Sequence, residues 1–261
     1  MMELQYLKWT KPVSGVKAFQ VTRGEINPRN PYSEFNLCNY TGDDALRVLN
    51  ARLELCAKLS IEMDQLIMPR QTHSNHVVII DDAYLQADID AQESMLEGVD
   101  ALVTALPDIC IGVNTADCVN IALTDPLAGI IGIAHAGWRG TVARIPCEVI
   151  NTMKKLGAQP HNIIVTMGAS ICGECYEVGD EVVDAFAKEK HDVNRIMHRN
   201  ADTGKAHIDL RLACSLIMQD EGIPAENITI SDECSRCQSS KYFSARRLGI
   251  NSGRTFTGII Q

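Results

Sequence analysis

The chain has no long apolar run: nothing in its 261 residues approaches the roughly 20 consecutive apolar positions that a membrane-spanning helix needs. It also lacks an excess of basic charge, since 24 Lys and Arg face 33 Asp and Glu for a net charge of −9. A general nucleic-acid binder needs the opposite balance to displace counterions, so neither nucleic acid nor a membrane is expected as a partner. A local basic pocket for a small anion stays open. The opening "MMELQYLKWTKP" has no apolar core of the kind that directs secretion. Internal repeats, low-complexity tracts and linkers rich in Pro, Gly or Ser are missing as well. Neither G-x-G-x-x-G nor a P-loop occurs, which removes the reason to expect a dinucleotide or ATP hydrolysis. "MGASICG" puts Cys172 where a serine-hydrolase elbow needs its last glycine. The H-x-E and P-C-x-x-C signature of the zinc deaminases is absent. No H-x-H pair of the multicopper-oxidase kind occurs among the 7 histidines.

What is present is an ordinary globular composition, 46% apolar and 22% charged, with length for one large domain or two modest ones. The 10 cysteines are many. A chain this size does not need disulfide staples, so most are expected as buried apolar side chains in a reducing compartment, the cytoplasm. The sequons at Asn39 and Asn227 then carry no meaning.

β-branched apolar runs alternate with helical patterns throughout. Strands are expected at 76–81, 101–106, 109–115, 119–125, 129–135, 162–168, 227–230 and 255–260. Helices are expected at 43–59, with Ala45, Leu46, Leu49, Leu53 and Cys56 on its apolar face, and at 141–157, kinked by Pro146 and capped by Gly157. Two further helices follow in "DEVVDAFAKEK" and "DLRLACSLIMQDEG". Some strands follow one another too closely for helical crossovers, so the expected fold class is α/β, a single domain over residues 1–261 with a mixed β-sheet and flanking helices.

"VNIALTD" and "GIIGIAH" are separated only by "PLA". A two-residue turn at Pro126 and Leu127 would set Cys118 opposite His135 on one face of an antiparallel hairpin. A bulge at Gly129 would shift that register by one. His73, just ahead of the strand at 76–81, supplies a third donor. Two imidazoles and a thiolate suit Zn²⁺ or copper, and three protein ligands leave a position open for water or substrate. The same atoms also allow a metal-free reading, with Cys118 as nucleophile, His135 as its base and Asp117 or a carbonyl as the orienting group.

"RQTHSN", "NTADCVNIALTD", "IAHAGWRG", "CYEVGDEV" and "FSARRLGINSGR" occur in an order that resembles the YfiH-like family, also called laccase-domain or polyphenol-oxidase-like proteins. The resemblance runs from about residue 70 to the C-terminus, and "TADC" followed by "HAGWRG" is its most specific part. It implies a YfiH-like α/β domain with His73, Cys118 and His135 as metal ligands. It implies a zinc-dependent purine nucleoside phosphorylase acting with phosphate on adenosine, inosine, guanosine and methylthioadenosine, with adenosine deaminase activity besides. Some members are instead described as copper-containing polyphenol oxidases, so Cu²⁺ is the alternative cofactor and phenol oxidation the alternative reaction. The small residues Ala136, Gly137 and Gly140 are then expected to clear room for substrate beside the metal. Ser74, Asn120, Ala169 and Leu248 depart from the family's usual Gly, Pro, Pro and Asp, and they bear on pocket shape rather than on the ligands.

The catalytic candidates are Cys118, His135, Arg139 and Asp117. Arg139 is expected to hold phosphate, and Asp117 to relay a proton or orient a ligand. Arg70, Arg246, Arg247 and Arg254 are further candidates for substrate binding. The pairs "CGEC" (172–175) and "CSRC" (234–237) have the local spacing of zinc ligands, but about 60 residues separate them, against roughly 15–20 in compact zinc motifs. Idle thiols are the expectation there. Assembly state is not legible.

Overall fold

The computed structural model describes residues 1–261. Its strands are β1 (Leu4–Tyr6), β2 (Lys17–Val21), β3 (Leu66–Ile67), β4 (Val77–Ile80), β5 (Ala101–Thr104), β6 (Cys110–Thr115) and β7 (Val119–Asp125). They continue with β8 (Ile130–Ala136), β9 (Ile164–Met167), β10 (Glu177–Val178), β11 (Met197–Arg199), β12 (Ala206–Ile208), β13 (Ile228–Ile230) and β14 (Thr255–Ile260). The helices are α1 (Ala45–Leu59), α2 (Asp82–Gln86), α3 (Ile89–Leu96), α4 (Trp138–Val142) and α5 (Ile145–Lys155). After them come α6 (Asp180–Lys188), α7 (Val193–Ile196), α8 (Leu210–Asp220) and α9 (Ala245–Leu248). No helix is long and apolar enough to cross a membrane.

A six-stranded mixed sheet, β13-β9-β7-β8-β5-β4, packs against a five-stranded one, β1-β2-β14-β6-β3, and a separate three-stranded ribbon, β10-β12-β11, joins the helix-side core through Ala206 and Ile208. Alternation along the strands explains the layers. Ala101, Val103, Ile121 and Ala134 point to α5, α6 and α8, in a core of 27 buried residues. Their neighbours Leu102, Ala122, Ile131 and Ile133 point the other way, onto Ile111, Val113 and Ile259 of the five-stranded sheet. The far face of that sheet buries Phe19 and Phe256 against Leu55 and Cys56 of α1. The fold is therefore a single-domain α/β arrangement of four layers, helix, sheet, sheet, helices. Central strands covered on both faces must be apolar throughout, which is why "VNIALTD" and "GIIGIAHA" show no polar alternation.

Several details differ from the sequence expectation. β7 and β8 pair with Asn120, not Cys118, opposite His135, and Asp125 opposite Ile130. The connection is four residues long because the Asp125 carboxylate accepts from the N–H groups of Leu127 and Ala128, while Gly129 takes a φ of +65°. The register moves by two, which keeps the same face. The segment 141–157 is not one kinked helix. α4 ends at Val142, Arg144 adopts a left-handed φ of 57°, and α5 starts afresh with Pro146 in its first turn, where a missing N–H costs nothing. In α1, Asp44 caps Arg47 N–H as expected, but the buried face is Val48, Ala51, Leu55 and Cys56. Leu46, Leu49 and Leu53 are exposed. Two rows of apolar residues at helical spacing competed, and Arg47 and Arg52, bonded to the carbonyls of Ser33 and Leu37, set the rotation.

Candidate metal centre

His135 is the next-to-last residue of β8 and is buried, its side chain facing the sheet–sheet interface where apolar packing gives way to polar groups. Its Nδ1 lies 2.6 Å from Oδ1 of Asp100, which is fully buried just ahead of β5. That contact leaves Nε2 as the nitrogen free to face a ligand, the arrangement usual for a metal-binding imidazole. Asp100 does more. Its carboxylate accepts from the N–H groups of Thr72, His73 and Ser74 and from the Ser74 hydroxyl. One buried acid thus fixes the ring of His135 and curls the 72–74 loop that carries His73.

That loop is strained. His73 sits at a φ of 64° and Asp117, immediately before Cys118, at 84°. Non-glycine residues in the left-handed region cost free energy and persist where surrounding bonds over-determine them. For Asp117 those bonds are the hydroxyl of Ser235 on Oδ1 at 2.6 Å and the N–H of Arg246 on Oδ2 at 2.7 Å. Its carbonyl accepts from Ile171 N–H.

These supports converge on three donors. Cys118 Sγ lies 3.9 Å from His73 Nε2, and the two imidazole rings meet edge to face with centroids 4.8 Å apart. The donor atoms of His73, Cys118 and His135 all fall within 4.8 Å of one another. The glycine after β8 explains the closeness. A Cβ at Gly137 would lie 2.7 Å from His73 Cδ2 and 3.1 Å from Cys118 Sγ, and one at Gly140 would lie 3.0 Å from the Ser74 carbonyl. The small residues of "HAGWRG" therefore make room for the ligands and their loop, rather than for substrate as expected from sequence.

Electrostatics fit a cation. The low-polarity surroundings oppose ionisation of Cys118, yet the His135 and His73 imidazoles outweigh them and bring the thiol down to about 6. Burial likewise disfavours an imidazolium at His135, but the Cys118 thiolate and the Asp100 carboxylate push it up to about 9. Without metal the site is a thiolate–imidazolium pair. With metal, one soft sulfur and two borderline nitrogens suit Zn²⁺ or copper, and three ligands leave a tetrahedral position open. These residues can hold a metal.

The arginine candidates divide. Arg139 is exposed, stacks its guanidinium 4.2 Å over the Trp138 ring and has no carboxylate partner. Arg246 donates to the Glu177 carbonyl and lies 5.4 Å over the ring of Tyr176. Burial raises the Tyr176 phenol far above its ordinary range; the Cys118 charge adds to this, and the Arg246 and Arg139 charges oppose it. Arg247 is exposed beside Arg246 on α9. Arg70 is engaged elsewhere, in an ion pair with Glu97 at 2.8 Å. Arg254 folds back on the carbonyls of Ile250, Ser252 and Gly253. Sequence reasoning missed Asp100 and Tyr176. An Asp directly before a buried strand was the available signal for the first. It acquires meaning only once β5 and β8 are known to be neighbours. The two CxxC pairs are not scattered thiols: a parallel bridge between Ser170 and Cys234 brings all four sulfurs within 4.8 Å of one another.

Residues 17–261 match the family described as multi-copper polyphenol oxidoreductase laccase. The chain is 58% identical over 99% of its length, and 99% of the relative's, to adenosine deaminase RL5 from an unknown prokaryotic organism. It is 38% identical to a purine nucleoside phosphorylase of Bacteroides thetaiotaomicron, covering 95% of this chain and 92% of that one. Among solved structures, Bacillus licheniformis YfiH superposes with a TM-score of 0.85 at 26% identity, covering 94% and 92% of the two chains. The chain belongs to this laccase-like family of YfiH proteins.

Proposed function

We propose that the chain is a zinc enzyme acting on purine nucleosides: a phosphorylase for adenosine, inosine, guanosine and methylthioadenosine that also deaminates adenosine. The observation that carries this reading is the convergence of His73, Cys118 and His135 on one point, with His135 braced by Asp100. Relatives named adenosine deaminase and purine nucleoside phosphorylase, at 58% and 38% identity, supply the substrate class. Residues 1–261 work as one catalytic unit in a reducing, cytoplasmic setting, where ten free cysteines are sustainable. His73, Cys118 and His135 hold the ion, and Zn²⁺ so bound supplies Lewis acidity and a water whose pKa falls to roughly 7.

The chain's own groups do the rest. Asp100 keeps the His135 ring in one tautomer and orientation. The imidazoles keep Cys118 a thiolate near neutrality. Arg139, free of a carboxylate partner, and Arg246 supply positive charge for phosphate. Tyr176, held protonated by burial, donates a hydrogen bond to it. Asp117 has both oxygens engaged by Ser235 and Arg246, so it positions Cys118 rather than relaying a proton. In phosphorolysis a phosphate oxygen joins the anomeric carbon, and the electron pair of the broken bond leaves with the purine nitrogen. In deamination water adds at the purine amino carbon and ammonia departs.

The family's description favours one rival, copper at the same three ligands and oxidation of phenols. Incubating purified protein with adenosine and inosine, with and without phosphate, separates the two. Ribose 1-phosphate with free base, and inosine from adenosine, is the expected outcome, with zinc by elemental analysis of protein expressed without added metal. Copper in its place, with phenol-dependent oxygen uptake and no nucleoside turnover, overturns the proposal. Cys118→Ala is expected to lose both metal and activity.

A further inference from the structure

The segment 231–244, between β13 and α9, contains neither strand nor helix, only the single bridge at Cys234. Structureless stretches of this length are uncommon in compact domains unless something ties them down. What faces it is the turn 172–175. The two are laid side by side by backbone contacts: Ser235 N–H donates to the Ser170 carbonyl, and Cys172 N–H points at Cys234 Sγ from 3.4 Å. Both CxxC pairs lie on tight turns, with Cys175 N–H bonded to the Cys172 carbonyl and Gln238 N–H to that of Cys234. Their sulfurs all lie within 4.8 Å of one another, and Cys175 and Cys237 approach to 3.4 Å.

We propose that Cys172, Cys175, Cys234 and Cys237 form a second, structural zinc site, closed by four thiolates and separate from the His73–Cys118–His135 centre. Four sulfurs each about 2.3 Å from one ion stand about 3.8 Å apart at the corners of a tetrahedron, and the observed spacing brackets that figure. It encloses one ion and leaves no volume for an iron–sulfur cluster. Four thiolates around a divalent ion carry excess negative charge. Arg236, inside the second CxxC, sets Nη1 3.4 Å from Cys175 Sγ and offsets part of it. Cys237 is exposed, so the ion has a route in.

The site joins loops that grip the residue before Cys118. Ile171, next to the first pair, donates to the Asp117 carbonyl, and Ser235, inside the second, donates to its carboxylate. The zinc is thus a buckle behind Asp117. It takes no part in chemistry, because four protein ligands leave no open position.

The proposal stands whether or not the first centre binds zinc, so its test starts from protein in which that centre is removed. His73→Ala/Cys118→Ala protein, dialysed against a weak chelator, is expected to keep one equivalent of zinc per chain. Refilled with Co²⁺, it is expected to show the strong sulfur-to-metal charge-transfer and d–d bands of tetrahedral tetrathiolate cobalt. Adding Cys237→Ser, at an exposed position, is expected to weaken zinc retention at least tenfold and to change those bands. If that variant does not fold, the cobalt spectrum of the parent decides. Zinc-free parent with four thiols reactive in the native state would overturn the proposal. So would a Cys175–Cys237 disulfide in peptide mass maps, or iron in place of zinc.

Discussion

Asp100 organises more of the site than any ligand does. It is fully buried, and the His135 imidazole together with backbone N–H groups holds its carboxyl below the usual range against the opposing effect of burial. Replacing it with Asn keeps the shape and removes the charge. The His135 imidazolium then loses a partner, its pKa falls, and less positive charge remains to hold Cys118 ionised. Alkylation of Cys118 in metal-stripped protein is expected to follow a midpoint near the value of about 6 in the parent and to move upward in Asp100→Asn. Metal affinity is expected to fall about 10–100-fold, the range typical when such a partner is lost. The thiolate–imidazolium pair also gives the metal-stripped chain a pH signature. Cys118 is depressed to about 6 and His135 raised to about 9, both in the folded state. The thiolate's contribution is lost as pH falls through the first value, and the imidazolium's as pH rises through the second. Across neutrality these two opposing slopes cancel, so thermal melting of stripped protein is expected to be level from neutrality into the alkaline range and lower only below about pH 6. A profile unchanged in Cys118→Ala would refute that assignment. Gly137→Ala tests the packing of the ligands: its methyl has no room beside His73 and Cys118. Metal content should drop sharply while the melting temperature moves little.

At the level of elements, the hairpin β7–β8 delivers His135, and its register depends on a turn remote from the site. Asp125 accepts from the N–H groups of Leu127 at 3.0 Å, Ala128 at 3.1 Å and Gln159 at 2.8 Å. Asp125→Ala strands these donors, at a cost of about 2–3 kcal/mol. With roughly 2–4 °C per kcal/mol for a chain of this size class, the melting temperature is expected to fall by about 4–12 °C. Metal content should hold, because the damage is at the other end of the hairpin. The same turn shows why sequence arithmetic missed the register. Pro126 and Leu127 look like the centre of a two-residue turn, but a buried carboxylate with three donors outweighs that local preference. Most strands of the two large sheets were legible from their β-branched runs, β7 and β14 to the residue. Strands β1 to β3 and β10 to β12 were not, because none of them carries a run of β-branched residues such as the Ile-Thr-Ile that marks the equally short β13.

For the whole molecule, the site lies where the two sheets part, and polar side chains replace the apolar filling there. Asn120 and Gln20, one from each sheet, clamp the loop after β9. Asn120 accepts from Gly168 N–H and donates to the Ala169 carbonyl, while Gln20 accepts from Ala169 N–H and donates to the same carbonyl. Asn120 and Ser74 were legible only as departures from the family pattern. In three dimensions each has a task, Asn120 on this clamp and Ser74 on Asp100 and the Gly98 carbonyl. The three candidate donors His73, Cys118 and His135 were readable from motifs, whereas such braces depend on which strands become neighbours. Gln20→Ala tests the clamp across the sheets. Gln20 is buried, and its loss leaves the Ala169 N–H without a partner and Thr257 Oγ1 without its donor. A destabilisation of about 2–4 kcal/mol is expected. Because the loop runs on into Ile171, which holds the Asp117 carbonyl, the variant should also lose metal from the Cys118 centre faster at temperatures where it is still folded. Measured dissociation into a chromophoric chelator checks this. Equal rates in parent and variant, with the melting temperature lowered, would mean that the two sheets share stability but that the clamp does not reach the metal centre.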